Sequence, residues 1–101
     1  MDIYLPLFYN NNKRIEKLKF VDTFNELVGM FDGCSADQYS ILGSWKDPHS
    51  DALYNDENRI YHIICEDTEE NRTILRKYKE KLKERFRQKE IMMYYINVNR
   101  F

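Results

Sequence analysis

The stretch "NRIYHIICEDTEENRTILRKYKEKLKERF", residues 58–86, changes its hydrophobic period part-way along, and this change decides the fold. Residues 58–66 are rich in β-branched and aromatic side chains, as is typical of a strand. Beyond them the apolar residues recur three and four positions apart, the spacing of an amphipathic helix: Ile74, Leu75, Tyr78, Leu82 and Phe86. Acids begin this segment and bases end it, which matches the helix dipole, and Asp67 or Thr68 can cap it. The stretch therefore predicts a strand followed by a helix.

The first third of the chain has the same order of periods. Residues 2–9, "DIYLPLFY", alternate as a strand does, although Pro6 requires a bulge or a place at the strand end. Residues 19–32 predict a helix whose inward stripe has five members: Phe20, Phe24, Leu27, Val28 and Phe31. Gly33 follows and is suited to a left-handed cap.

Two more strands complete the pattern. We expect one over residues 37–45 and a last one over "EIMMYYINVNRF", residues 90–101. Residues 43–59, "GSWKDPHSDALYNDENR", are too polar and turn-rich for a core element, so they predict an elongated hairpin connection.

The resulting order, β-α-β-β-α-β, predicts an α+β fold of the ferredoxin-like class. In it a four-stranded antiparallel sheet carries two helices on one face, the first strand is central and the last lies at an edge. The chain of 101 residues has the size of one such domain, spanning residues 1–101.

Composition narrows the class of protein. Hydrophobic residues make up 43% and charged residues 33%, which excludes a disordered or membrane-embedded chain. The N-terminal sequence has an acid where a signal peptide needs bases, so we expect a cytoplasmic protein with no membrane contact. A net charge of −1 gives no global reason for nucleic-acid binding. Cys34 and Cys65 lie in unrelated settings without metal spacing, and we expect two buried or half-buried thiols.

Several short motifs carry a resemblance. The chain reads "IYLPLFYNN", a helix end "LVGMFDGCS", then "GSW", "LYNDEN" and "YKEKLKERFRQKEI". In this it resembles a group of small bacterial proteins with a Gly-x-Trp strand end and a Phe-x-Gln helix exit, a group without an assigned activity. The resemblance covers nearly the whole chain and implies one compact α+β domain, and it assigns a catalytic role to no residue.

The 43–59 segment holds the densest set of functional groups. Carboxylates and imidazole can bind ligands or carry protons, and six residues could line a pocket there: Trp45, His49, Asp51, Tyr54, Asp56 and Glu57. Their spacing matches neither an EF-hand nor HExxH, so we predict no metal site, no cofactor and no catalytic residue. This segment supports the alternative reading, a protein that binds a small ligand or nucleotide, or a metal-dependent hydrolase.

The aromatic residues of the strands support the main prediction. Two helices cover one sheet face, whereas both faces of the predicted strands are apolar or aromatic. We therefore expect a non-catalytic interaction module that forms a homodimer, or binds another protein, through the second face. The residues predicted for this interface are Tyr4, Phe8, Tyr39, Tyr61, Tyr94 and Tyr95. His62 is predicted to face inward as a hydrogen-bonded histidine.

Nucleic-acid binding is a second alternative. The run of bases between Arg72 and Lys89 is diluted by Glu80 and Glu84 and scatters around the helix. This distribution favours a solvated helix face over a contact with a phosphate backbone.

Overall fold

The computed structural model describes residues 1–31, 33–36, 41–46 and 53–99, with the backbone alone at 41–46 and 53–56. Its elements in chain order are β1 (Asp2–Pro6), α1 (Lys17–Met30), β2 (Gly33–Ala36), β3 (Ile41–Lys46), β4 (Leu53–Ile64), α2 (Glu69–Arg85) and β5 (Met93–Tyr94).

All pairings in the sheet are antiparallel, and β4 is its organising strand. The first half of β4 pairs with β3, while its second half pairs with β2 on the same side. On its other side β4 pairs with β1, and β1 pairs with β5, which gives the order β2-β4-β1-β5. The sheet is thus four strands wide, because β2 and β3 occupy successive parts of one position. The predicted α+β class with an antiparallel sheet and two helices is confirmed.

The core lies on one face of this sheet. Ile3 and Leu5 of β1 are buried, and Tyr4 between them points to the other face. Tyr61 lies opposite Ile3 and belongs to the same core cluster, which both helices complete. Pro6 is the last residue of β1, so it takes a strand end, one of the two places predicted for it.

Helix α1 runs from Lys17 to Met30, two residues earlier than predicted at each end. Phe20 and Leu27 are buried and Phe24 packs on the core, as the stripe predicts. The prediction for Val28 is wrong, because its side chain is 51% exposed. It lies too far around the helix from Leu27 to share the inward face.

The end of α1 also differs from its prediction. Gly33 does not form a left-handed cap, because it is the first residue of β2 and no described glycine has a positive φ. The chain leaves the helix at Phe31, whose backbone is already extended and whose N–H still donates to the Leu27 carbonyl. The helix therefore passes almost directly into an edge strand.

Helix α2 agrees with its prediction. The Thr68 hydroxyl accepts a hydrogen bond from the Asn71 N–H at 3.1 Å, which makes Thr68 the N-cap. Glu69 and Glu70 occupy the first turn, and bases occupy the last. Of the five residues predicted to face inward, Ile74 is half-buried. The other four are buried: Leu75, Tyr78, Leu82 and Phe86.

The observed strand ends differ from the predicted ones where pairing with a neighbouring strand, and not the local sequence pattern, determines them. β3 extends to Lys46 and β4 begins at Leu53, so residues 43–46 and 53–59 of the predicted 43–59 connection are strand. β2 was not predicted as a separate strand. β5 is only two residues long, because Asp2 is opposite Tyr94 and residues 96–99 lie beyond β1. In the described part of the chain, Cys34 and Cys65 are free and half-buried as expected, and neither helix is long and apolar enough to cross a membrane.

Candidate functional site: the open face of the sheet

One face of the sheet is left uncovered by the two helices. Because side chains alternate along a strand, the register of β1, β2, β4 and β5 fixes which residues share this face. We call it the open face, and its described members are Asp2, Tyr4, Pro6, Gly33, Ser35, Asn58, Ile60, His62, Ile64 and Tyr94.

Two tyrosines form the centre of its aromatic part. The hydroxyls of Tyr4 and Tyr94 lie 2.9 Å apart, and their ring centroids are 5.7 Å apart with the planes tilted by 40°. The hydrogen bond with Tyr4 raises the pKa of Tyr94 to about 12, with smaller contributions from desolvation and from Asp2. The Tyr94 hydroxyl is therefore neutral at pH 7, and a phenolic hydroxyl can both donate and accept.

A second polar pair lies beside the tyrosines. Asp2 and His62 are directly opposite in the β1–β4 register, and the Asp2 Oδ1 lies 2.8 Å from the His62 Nδ1. His62 is hydrogen-bonded as predicted, but the prediction that it faces inward is wrong. It shares the open face with Ile60 and Ile64, and its side chain is half-exposed.

The open face also carries apolar surface. Ile64 is 52% exposed and Tyr94 37%, whereas Ile60, opposite Tyr4, is buried. No lysine or arginine belongs to the described members of this face. The described part of the face therefore presents tyrosine hydroxyls and the Asp2–His62 pair beside apolar surface, and it includes no lysine or arginine that could bind a phosphate.

Tyr61 was predicted for this interface, and the structure corrects that prediction. It is 2% exposed and lies on the helix-covered face, where its hydroxyl donates to the Phe20 carbonyl at 2.9 Å. Its ring packs edge-on against Phe24, with centroids 5.8 Å apart. Tyr61 is on the covered face because Ile3, its partner in β1, points there too.

The other aromatic residues predicted for the interface are Tyr95, Phe8 and Tyr39, and they do not lie together on the open face. Tyr95 follows Tyr94 and so points to the helix side, where the Arg72 guanidinium lies 5.2 Å from its ring centroid. The prediction of Tyr95 in the open face is therefore also wrong. Phe8 follows the end of β1, where the Arg14 guanidinium lies 5.6 Å from its ring centroid. Tyr39 lies outside the described residues.

The structure brings together only some of the six candidate ligand-binding residues of the 43–59 segment. Trp45 and Tyr54 are opposite each other in the β3–β4 pairing, and Asp56 is opposite Gly43. Glu57 is exposed. The remaining two candidates, His49 and Asp51, lie outside the described residues, as do the side chains of Trp45, Tyr54 and Asp56. A ligand pocket at this segment stays a prediction.

A shallow groove lies at the opposite end of β4, where sequence reasoning predicted nothing. It is lined by Met1, Cys65 and Leu75, and by Tyr95 and Ile96 of the C-terminal segment. A bidentate ion pair between Asp67 and Arg72, at 2.7 and 2.9 Å, forms its wall. Asp67 and Arg72 are already paired with each other, so neither is a free group for catalysis in this groove.

Metal binding has no support in the described part of the chain. Nowhere in it do three histidine, cysteine, aspartate or glutamate side chains cluster as metal ligands would. On the open face, the Asp2–His62 pair brings together two potential metal ligands, fewer than a metal site needs.

Comparisons with known proteins identify no relative. No family model, no curated protein and no solved structure matches the chain. Its resemblance to the group of small bacterial proteins therefore stays a prediction.

Proposed function

We propose that this protein is a non-catalytic interaction module that forms a homodimer through the open face of its sheet. The observation that carries the proposal is the exposure of Ile64 and Tyr94 on a face that neither helix covers. Burying exposed apolar area stabilises association by roughly 25 cal/mol per Å², and contiguous exposed apolar patches mark partner sites.

The polar groups of the open face favour a second copy as the partner. In a two-fold dimer the same surface contacts itself, so the donors and the acceptors of the contact must both lie on that one surface. The hydroxyls of Tyr4 and Tyr94 can act in both roles, and the Asp2 carboxylate is already paired with His62. Stacking two such faces therefore buries no carboxylate of the described residues that lacks a hydrogen-bond partner.

The strand order supports the finer fold assignment that belongs to this proposal. The order β2-β4-β1-β5, with β3 in the same position as β2, is that of the split β-α-β arrangement. We therefore place the chain in the ferredoxin-like class, whose one-sided helix layer leaves a sheet face for a partner. The cytoplasmic location predicted from the N-terminal sequence is part of the same proposal.

The rival functions have less support. RNA-binding sheets of this architecture combine stacking aromatic residues with cations for the phosphates, and the described open face has no such cation. The small-ligand alternative rests on the 43–59 segment, where the described residues supply only backbone positions and the exposed Glu57.

Two neighbouring tyrosines make a matched test of the dimer. Tyr94→Asp places a charge on the open face. Tyr95→Asp places the same charge one residue later in the chain, on the side of the sheet that carries the helices. Analytical ultracentrifugation should show association through the open face weakened about 30-fold or more in Tyr94→Asp, the size of a hot-spot effect. Tyr95→Asp should behave as the unaltered protein. Equal association of both variants would reject the open face as the interface.

A further inference from the structure

The two cysteines of the chain lie on neighbouring strands of the sheet, although they are far apart in the sequence. In the β2–β4 register Cys34 is opposite Ile63. Cys65 is two residues beyond Ile63, directly after the last residue of β4. Because side chains two positions apart along a strand point to the same face, Cys34 and Cys65 are diagonal neighbours on one face.

Contacts with the core place both side chains on the helix side of the sheet. Each cysteine is half-buried and packs against the core cluster. Burial raises the pKa of Tyr61 and the Cys34 thiolate raises it further, so Cys34 lies near Tyr61, a residue of the covered face. Cys65 lines the shallow groove together with Leu75, a buried residue of α2. The register and the side-chain contacts therefore agree.

The spacing of the two strands is close to what a disulfide needs. Diagonal neighbours in an antiparallel pair have Cα atoms about 7–8 Å apart, and a disulfide needs roughly 4.4–6.8 Å. The pair Gly33 and Ile64 lies midway between the two cysteines in the register, and a Cβ built on Gly33 is 3.6 Å from the Ile64 Cβ. That distance is shorter than the usual spacing of about 4.5–5.5 Å between opposed Cβ atoms. The strands thus approach closely at this point, and a shift of about 1–2 Å closes the remaining gap.

Both cysteines belong to segments that can make this shift. Strand β2 has four residues and pairs, among the described strands, only with β4. Residues 65–68 form neither helix nor strand. Segments with few backbone hydrogen bonds move at a low cost in free energy. The two sulfur atoms can therefore meet without displacement of the buried core.

We propose that Cys34 and Cys65 form a reversible disulfide, with a small disulfide of the glutathione class as the oxidant. The Cys65 thiolate attacks one sulfur of oxidised glutathione, forms a mixed disulfide and releases one glutathione thiolate. The Cys34 thiolate then attacks the Cys65 sulfur, which closes the protein disulfide and releases the second glutathione. Two protein thiols are oxidised, one glutathione disulfide is reduced, and the two thiol protons end on the two glutathione molecules.

The surroundings of the two thiols determine the order of these steps. Cys65 lines an open groove, where a small disulfide can reach it. Burial raises the pKa of the Cys34 thiol, so a smaller fraction of it is thiolate at pH 7. Cys34 is therefore the resolving thiol, and closure of the ring accelerates as the pH rises. In a reducing compartment such a disulfide is transient and responds to the redox state.

The cross-link has a consequence for folding. It ties β2 to the end of β4 across the whole β3–β4 hairpin, and so it restricts the unfolded chain. The oxidised protein should therefore unfold at a higher urea concentration than the reduced protein. This site does not depend on the proposed dimer, because both thiols lie on the side of the sheet opposite the open face.

Intact-mass measurement tests the disulfide directly, because the chain has only two cysteines. The reduced protein is equilibrated with oxidised glutathione and quenched with acid, and its mass and free thiols are measured without reductant. We expect a single chain that has lost two hydrogen atoms and both free thiols. A chain that carries glutathione at either cysteine, keeps both thiols or is cross-linked to a second chain overturns the proposal.

A matched variant tests the role of the register. Ile64→Cys combined with Cys65→Ser keeps two thiols but moves one of them by one residue, to the open face. We expect this variant to retain bound glutathione, because its thiols point to opposite faces of the sheet. Circular dichroism shows whether it is folded. Closure of the ring in the folded variant as readily as in the unaltered protein overturns the assignment.

A comparison of the folded and the unfolded chain needs no variant. Equilibration with glutathione buffers, in the presence and absence of urea, gives the effective concentration of one thiol relative to the other. This concentration should be at least about tenfold higher in the folded protein, because a cross-link that stabilises the folded state is favoured by it. An equal or higher value in urea would show that the folded structure keeps the thiols apart, and would overturn the proposal.

Discussion

The hydroxyls of Tyr4 and Tyr94 lie 2.9 Å apart across the β1–β5 pair, on the face of the sheet that the helices leave uncovered. This contact connects two residues 90 positions apart in the chain. It fixes both rings at the centre of the open face, and so it links the register of the last strand to the composition of the proposed interface.

Removing one hydroxyl should change the titration of the other. In Tyr4→Phe the hydrogen bond is lost, so the pKa of Tyr94 should fall from about 12 toward the ordinary value of 10.0. The ¹³Cζ resonance of Tyr94, followed against pH by NMR, measures this directly. Tyr78→Phe, at a buried residue of α2, is the control and should leave the titration of Tyr94 unchanged. A Tyr94 that still titrates near 12 in Tyr4→Phe would show that the hydrogen bond is not the main cause.

The contact between the helices should make stability depend on pH. Hydrogen bonding to Arg85 lowers the pKa of Glu26 to about 2 from its ordinary value of 4.5, and Tyr78 donates a further bond at 2.8 Å. Because the folded pKa is depressed, this stabilisation is fully present above about pH 4.5 and is lost as the pH falls toward 2. Glu26→Gln should therefore lower the free energy of unfolding by about 1–3 kcal/mol at pH 7.

Urea unfolding of both proteins at pH 7 and pH 2.5 measures this difference. The gap between the two should narrow at the lower pH, because at pH 2.5 the unfolded glutamate is protonated and folding must remove that proton, which cancels most of the stabilisation. Glu80→Gln is the matched control on the exposed side of α2, where the Lys83 contact at 3.5 Å should contribute less than about 0.5 kcal/mol. A gap of the same size at both pH values would refute the assignment to Glu26.

The turn after α2 holds an arginine in a conformation that favours glycine. Arg87 has φ 53°, and the Gln88 N–H donates to the Lys83 carbonyl at 2.9 Å, as in a Schellman cap. Arg87→Gly and Arg87→Ala both remove the guanidinium that lies 5.1 Å from the Tyr9 ring centroid. They differ only in the Cβ, so the glycine variant should be more stable by about 1 kcal/mol in thermal or urea unfolding. An alanine variant of equal or greater stability would contradict a left-handed Arg87.

The buried hydroxyl of Tyr61 should contribute to stability without affecting association. It donates to the Phe20 carbonyl, and burial raises its pKa, so Tyr61 favours the folded state fully below about pH 10 and less above it. Tyr61→Phe should lower the free energy of unfolding at pH 7 by about 1 kcal/mol. Tyr95→Phe, at a 55% exposed residue, should have little effect. If the Tyr61→Phe protein dissociated into monomers without losing stability, Tyr61 would belong to the interface and not to the core.

The sequence predicted the elements that local pattern determines. Helix α2 has an N-cap, charges that match the helix dipole and one apolar stripe. All three signals are local to this one segment and predict the same helix. The alternation of Ile3 and Leu5 likewise fixed β1 and its inward face. Pattern was less informative for α1, where Val28 lies on a second apolar side that a single inward stripe does not account for.

The open face could not be assigned from alternation alone. Tyr61 and His62 are neighbours in β4, and only the pairing with β1 decides which of them points to the helices. Tyr94 and Tyr95 pose the same problem in β5. A strand with large residues on both faces carries no sequence signal for its orientation. Of the predicted aromatic residues, Tyr4 and Tyr94 lie on the open face, whereas Tyr61 and Tyr95 do not.

The mass of the unaltered protein over a dilution series is the most direct test of the central claim, which is self-association through the open face. Sedimentation velocity from about 1 μM to about 1 mM spans the range in which weak and moderate protein contacts dissociate. We predict a mass of at least a dimer at the upper end that falls toward the monomer on dilution. A folded protein that sediments as a monomer at every concentration would contradict the account.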